Sequence, residues 1–317
     1  MTCAKPKILT SVVLQLFAFR QCKGFQSPPV PHPKIDLSKQ LPIEDGLISA
    51  LSNTAAQSNN LCGVPWKCSL QENQPLTFMP YYEWTKGLLG SLSNLKQLPA
   101  SGYNHIEKED TARLYSESYE SDEYRKIRMT YYDAGSSAQV FNSLWYPRSD
   151  LPLLGIDLLQ FRNKFLVVVD FQPLQEKKSI QSISAFWPTM PDLLRGKMSN
   201  RFYDHDQYFS DHMLFGRFTK EEAIDLLKME QEGTSEHNMT LWHAFQTYVL
   251  THIDTVQKCF FDDAFDQEEI LELHKAYDQY SAERDPAHAM FKKVFGESFA
   301  DGFVYDFLFD LAQQTKI

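Results

Sequence analysis

Cysteine is scarce. The 317 residues hold five (Cys3, Cys22, Cys62, Cys68 and Cys259), too few and too scattered for a disulfide framework. The Cys62-x5-Cys68 spacing lacks the paired form of a zinc or iron–sulfur site. No segment reaches the length of a membrane span. Positive charge is in deficit, with a formal net charge of −10, which argues against nucleic acid as the main partner. The chain has no dinucleotide fingerprint, P-loop, nucleophile elbow, HExxH or EF-hand loop. A redox role would therefore have to run without a nicotinamide or flavin in a Rossmann site. The nine histidines offer no close ligand pair: His205 and His212 fall in a loop-like stretch, His243 and His252 in a helix, and no metal site is expected.

Aromatic residues are abundant, at 14% with 23 Phe and 15 Tyr, which excludes a disordered, collagenous or coiled-coil chain. Charge is uneven. Residues 125–220 hold 13 bases against 9 acids, and residues 221–317 hold 7 against 20. An acidic partner would dock on the basic middle. Residues 1–35 carry five bases and no acid. There, the 12-residue apolar run Ile8 to Phe19 behind Lys5 and Lys7 reads as a signal h-region, followed by an acid-free, proline-rich stretch. A signal-like part followed by a transit-like part resembles a bipartite leader into a plastid, the chloroplast stroma; simple secretion is the alternative, against which the lack of a disulfide framework speaks. Residues 36–75 read as a poorly assigned, partly flexible extension, and residues 76–317 as one domain.

From about Thr111 the pattern turns β-like. Strands are expected over Tyr124–Tyr132, Gln139–Tyr146, Leu153–Phe161 and Phe165–Phe171, joined by connections too short for parallel crossovers. On the first strand, Ile127, Met129 and Tyr131 would share one face, and Arg128, Thr130 and Tyr132 the other. Thr219-Lys220-Glu221-Glu222 has the form of a capping box opening a helix through about Gln231. Further helices are expected over Leu241–Phe261, Gln267–Glu283 and Ala287–Phe295. Hairpins followed by helices give an α/β fold, a three-layer α-β-α sandwich around a mostly antiparallel sheet.

Two carboxylates stand where water is scarce. Asp157 lies within Leu153-Leu154-Gly155-Ile156-Asp157-Leu158-Leu159, where desolvation would raise its pKa toward neutrality. Gly155, on the same face, leaves room for something flat. A strand Asp bonded to backbone or Arg is the plainer alternative, and Asp170, in Val167-Val168-Val169-Asp170-Phe171, is a rival that pattern cannot rank. Asp285, before Pro286, is a plausible N-cap.

These segments resemble the ferredoxin-dependent bilin reductases from about Tyr124 to Phe309. The resemblance is carried by Asp133-Ala134-Gly135 with Gln139-Val140-Phe141-Asn142-Ser143, by the Asp157 segment, and by Val169-Asp170-Phe171-Gln172-Pro173-Leu174. Gln207-Tyr208-Phe209-Ser210, Tyr277 to His288 and Phe307-Leu308-Phe309 continue it. It implies a linear tetrapyrrole held between sheet and C-terminal helices, no bound metal or organic cofactor, and reduced ferredoxin as external donor of single electrons. The phrases look like those of members that reduce biliverdin IXα at its 15,16 double bond on the route to phycoerythrobilin. Ser281 stands where members that reduce the A-ring tend to carry Arg.

The same resemblance gives Asp157 the role of the sheet aspartate that protonates the bilin, and Asp285 that of a second aspartate on its opposite side. Asn142 matches an asparagine near the bilin. Arg128 stands where reductases that form phycocyanobilin carry a catalytic His. Arg128, Arg148 and Arg217 are the candidates for propionate contacts. A sister reductase acting on the dihydro product, and a non-catalytic bilin carrier, remain the alternatives; a following bilin reductase is a possible partner.

Overall fold

In a computed structural model the described residues are 64–71, 74–100, 102–175, 208–210, 213–219, 221, 241–260 and 266–313. The leader, most of residues 36–75, His205 and His212 lie outside them.

Eight strands form one sheet: β1 (Lys96–Leu98), β2 (His105–Lys108), β3 (Ala112–Glu120), β4 (Tyr124–Asp133), β5 (Gln139–Pro147), β6 (Leu153–Phe161), β7 (Lys164–Gln172) and β8 (Leu214–Thr219). The order is β1-β3-β4-β5-β6-β7-β8, with β2 also on β3, and every pairing is antiparallel. The four expected strands are present within one residue of their expected limits, because hairpin turns such as Arg162-Asn163 leave the chain nowhere else to go. β1, β2 and β8 were not expected. Thr219, read as a helix cap, instead closes β8 opposite Lys164; of the helix expected beyond it Glu221 is helical, and the rest falls outside the described residues.

Side chains alternate between two cores. Ile127, Met129, Tyr131, Phe141, Ile156, Val167 and Val169 point to one face and pack with α1 (Met79–Leu88) and α2 (Leu241–Phe260). α2 presents Phe245, Val249, Ile253 and Val256, each nearly or wholly buried. Such burial contributes roughly 2 kcal/mol per side chain. His252 anchors the layer: one ring nitrogen meets the Tyr124 hydroxyl at 3.0 Å and the other the Pro152 carbonyl at 2.9 Å. Burial pulls its pKa down to about 4, so it stays neutral.

The opposite face carries Leu114, Tyr132, Leu144, Tyr146 and Leu153 against α3 (Gln267–Ala282), α4 (Pro286–Phe295), α5 (Glu297–Gly302) and a π-helical turn (Phe303–Leu308). Sheet and helices on both faces make the three-layer sandwich. Lys126 fastens the π turn to β4: its ammonium donates to the Phe307 carbonyl at 2.6 Å and pairs with Asp310 at 2.9 Å.

The structured chain begins before residue 76. Asp133 accepts from Ser69 Oγ at 2.7 Å, Leu70 N at 2.8 Å, Arg113 Nε at 3.0 Å and Gly135 N at 3.0 Å. That carboxylate ties the 64–71 strap to the β4–β5 turn, where Gly135 adopts a φ of +59°. Among the described residues no helix is long and apolar enough to cross a membrane.

Candidate active site

Because strands alternate, the sheet face toward α3 and α4 receives every second residue. Register then lines up Thr130, Asn142, Asp157 and Val168 in one row across β4, β5, β6 and β7. This row floors a cavity of about 270 Å³. The far wall comes from α3 through Tyr277, Tyr280 and Ser281, spaced i, i+3, i+4 and hence on one helical stripe, and from Arg284 in the turn just beyond it. Asp285, Met290 and Phe291 at α4, with Phe303, Leu308 and Phe309 beyond, close it. The walls are mostly apolar and aromatic, with a few polar groups converging, as small-molecule sites tend to be.

Asp157 lies half-buried on the cavity floor, among the residues that line the cavity. Burial raises its pKa to about 7; the Asn142 hydrogen bond and the Arg128 cation oppose the rise, and Asp285 adds to it. Asn142, directly opposite on β5, donates its amide N–H to Asp157 Oδ1 at 2.5 Å. A carboxyl with a pKa raised to about 7 can both hold and release a proton near neutral pH.

Asp285 fills two roles at once. Its carboxylate caps α4 by accepting from Ala287 N at 2.7 Å, and it faces the same cavity as Asp157. Burial raises its pKa, opposed by the Ala287 N–H and by Arg128. The two roles separate by substitution. Asp285→Asn keeps a capping oxygen and should hold the melting temperature within a few degrees while slowing turnover; Asp285→Ala should slow turnover and also cost about 1 kcal/mol of stability. Equal melting temperatures for the two variants, read by thermal denaturation, would remove the capping role.

The structure ranks the rival. Asp170 is wholly buried but does not line the cavity; its oxygens accept from the backbone N–H of Ser210 at 2.8 Å and from the Ser210 hydroxyl. Gly155 lines the cavity as expected, and the space beside it is shared with Gln172, whose amide would stand 2.8 Å from a Cβ placed there. Gln172 in turn accepts from the Tyr277 hydroxyl at 2.5 Å, stitching sheet to α3.

The arginines divide. Arg217 lines the cavity from an exposed position on β8. Arg128 lines it from a buried one, donating to Asn142 Oδ1, with its guanidinium 5.2 Å from the Phe309 ring. Arg148 lies elsewhere: it donates to the Ser121 carbonyl at 3.0 Å and pairs with Glu120 at 3.5 Å, lining a separate polar cleft with Lys96 and Gln267. Sequence reasoning missed Arg284, whose exposed guanidinium stacks 4.0 Å over Tyr280 at the cavity wall. The 277/280/281/284 spacing was the signal for it.

Comparison with known proteins agrees with this geometry. The family profile described as ferredoxin-dependent bilin reductase matches residues 92–310, more than half of the chain. The chain belongs to this family. As a ferredoxin-dependent bilin reductase it is an oxidoreductase with ferredoxin as its electron donor. It is 39% identical over 208 residues (63% of this chain, 79% of the relative) to a protein of Nostoc punctiforme named 15,16-dihydrobiliverdin:ferredoxin oxidoreductase. It is 36% identical over 246 residues (74% and 95%) to the protein of that name from Gloeobacter violaceus. Among solved structures, phytochromobilin synthase from tomato in complex with biliverdin matches with a TM-score of 0.53 at 18% identity, covering 75% of this reductase and 86% of that chain. That likeness supports the α-β-α fold.

Proposed function

We propose that the protein reduces biliverdin IXα at its 15,16 double bond, giving 15,16-dihydrobiliverdin. Two ferredoxin encounters supply one electron each, and two protons complete the added C–H bonds. The observation that carries this reading is Asp157, held near neutral pKa on the floor of an apolar cavity with Asp285 on its rim. The relatives of the same name support the choice of bond, and Ser281 on the cavity wall keeps the place where A-ring reducers resemble one another in carrying Arg.

An added electron leaves the bilin a radical anion, and a protonated Asp157 beside it neutralises the charge by giving up its proton, making electron uptake more favourable. The apolar walls keep bulk water from competing for that proton. The product loses one conjugated bridge and absorbs at shorter wavelength. Anaerobic turnover with reduced ferredoxin should bleach biliverdin and yield that species. Intact biliverdin absorbance after confirmed binding defeats the assignment. Consumption of 15,16-dihydrobiliverdin in a parallel reaction would assign the sister step instead.

The reading extends to cell context. The leader supports import into a plastid, where the labile dihydro product passes to a following reductase that forms phycoerythrobilin. A mature protein from cells that still begins at Met1 would sink the import reading.

A further inference from the structure

Arg128 is a buried cation at 3% exposure that ion-pairs with no carboxylate among the described residues. Holding it there is costly. It was a candidate for gripping a propionate, yet its Nη1 donates to the Asn142 side-chain oxygen and its Nε is buried with no hydrogen-bond partner among the described residues. A guanidinium has only donors, so Asn142 must turn its oxygen to Arg128 and its NH2 to Asp157. The orientation of the amide is thereby fixed by chemistry.

Resting on the reductase reading above, we propose that Arg128 is a positioning residue: acting through Asn142, it fixes Oδ1 of Asp157 as an acceptor, so that the transferable proton is carried on Oδ2, and it stabilises the carboxylate left after transfer. Two hydrogen bonds in series, across neighbouring strands, connect the cation to the acid. The proton leaves Oδ2 for the bilin and the resulting negative charge is met by the Asn142 N–H, itself polarised by Arg128. No electron moves through the relay, and solvent returns the proton between turnovers. The unpartnered Nε remains for an acceptor that arrives with the substrate.

Other charged or titratable groups face the same space. Asp285 at the head of α4 raises the pKa of Asp157, the neutral phenol of Tyr277 on α3 lies beside it, and Arg284 and Arg217 stand at the wall and the exposed edge. Arg128 is the cation that opposes the effect of burial on both aspartates.

The test needs no bilin. In the ligand-free protein, the infrared carbonyl band of the protonated acid that disappears in Asp157→Asn is titrated against pH. Arg128→Gln should move its midpoint up by about one to two units, and Arg128→Lys should restore part of the shift. Asn142→Leu should move the midpoint in the same direction, and adding Arg128→Gln to it should move it little further. Single-turnover bleaching of biliverdin in Arg128→Gln should slow about tenfold or more with its Kd changed less than about threefold. An unmoved midpoint, or additive shifts in the double variant, overturns the relay. A large loss of biliverdin affinity with an unmoved midpoint makes Arg128 a substrate clamp. Should Arg128→Gln fail to fold, Arg128→Lys and Asn142→Leu carry the same titration. The infrared result stands whether or not the 15,16 bond is the one reduced.

Discussion

Asp157→Asn should stop turnover while leaving a protein that still binds biliverdin and melts at a higher temperature. The replacement is isosteric, and its amide oxygen can still accept from Asn142. Losing a general acid costs on the order of 10²–10⁴ in rate. The stability gain follows from linkage. The folded-state pKa, raised to about 7, lies above that of an unfolded Asp near 4. Folding is therefore unpenalised by this group below pH ~4 and loses stability as the pH rises toward and through about 7, while the Asn variant lacks that loss. Water admitted by the cavity screens the charge, so the gain at pH 8 is about 2 kcal/mol rather than the full value of the shift. Melting temperatures at pH 5 and pH 8 check it: the gap between variant and wild type should open at the higher pH. A gap independent of pH would mean that the acid is not held protonated. Asp278, pushed up to about 6 by burial, adds a similar slope to both proteins.

The largest loss of stability is expected at Asp133. Asp133→Ala leaves the guanidinium of Arg113, 2.8 Å away, with the Cys68 carbonyl but without its carboxylate, and strands three further donors on Ser69, Leu70 and Gly135. Removing one side of such a buried pair costs about 3–5 kcal/mol. The 64–71 strap should come free and be nicked by protease before the sheet unfolds. Denaturant unfolding with limited proteolysis reads both effects. A change below about 1 kcal/mol with the strap still protected would show that the strap is held by its side-chain packing, chiefly Trp66 against Arg113.

Where apolar strand-length runs are joined by hairpin-length turns, the sequence was sufficient: β4 to β7 follow from those runs, and the sandwich from the helices that come after them. It failed where other forces set the structure. α1 buries Thr85 and Lys86 along with its apolar residues, so its polar positions do not mark an outer face, the π turn Phe303–Leu308 spans only six residues, and β8 is short and ends in residues that imitate a helix cap. Asp157 and Asp170 look alike in sequence because both interrupt apolar strands; the distant Ser210, which donates to Asp170, and the cavity, which Asp157 lines, separate them. Gly155 lines the cavity as its segment suggests, but the chain cannot announce that Gln172, on the next strand, takes the space beside it. Arg148 looked equivalent to Arg128 and Arg217, but it stands at the end of the hairpin, beyond the reach of the cavity.

The alternation of β4 carries a consequence for how such enzymes diversify. Ile127, Met129 and Tyr131 are committed to one core, while Arg128, Thr130 and Tyr132 look into the cavity. Mutation can therefore sample new regiochemistry at every second position without disturbing the hydrophobic keel beneath. Descendants that attack different bonds of the same pigment can share one scaffold and differ by a handful of exchanges on its inner lining.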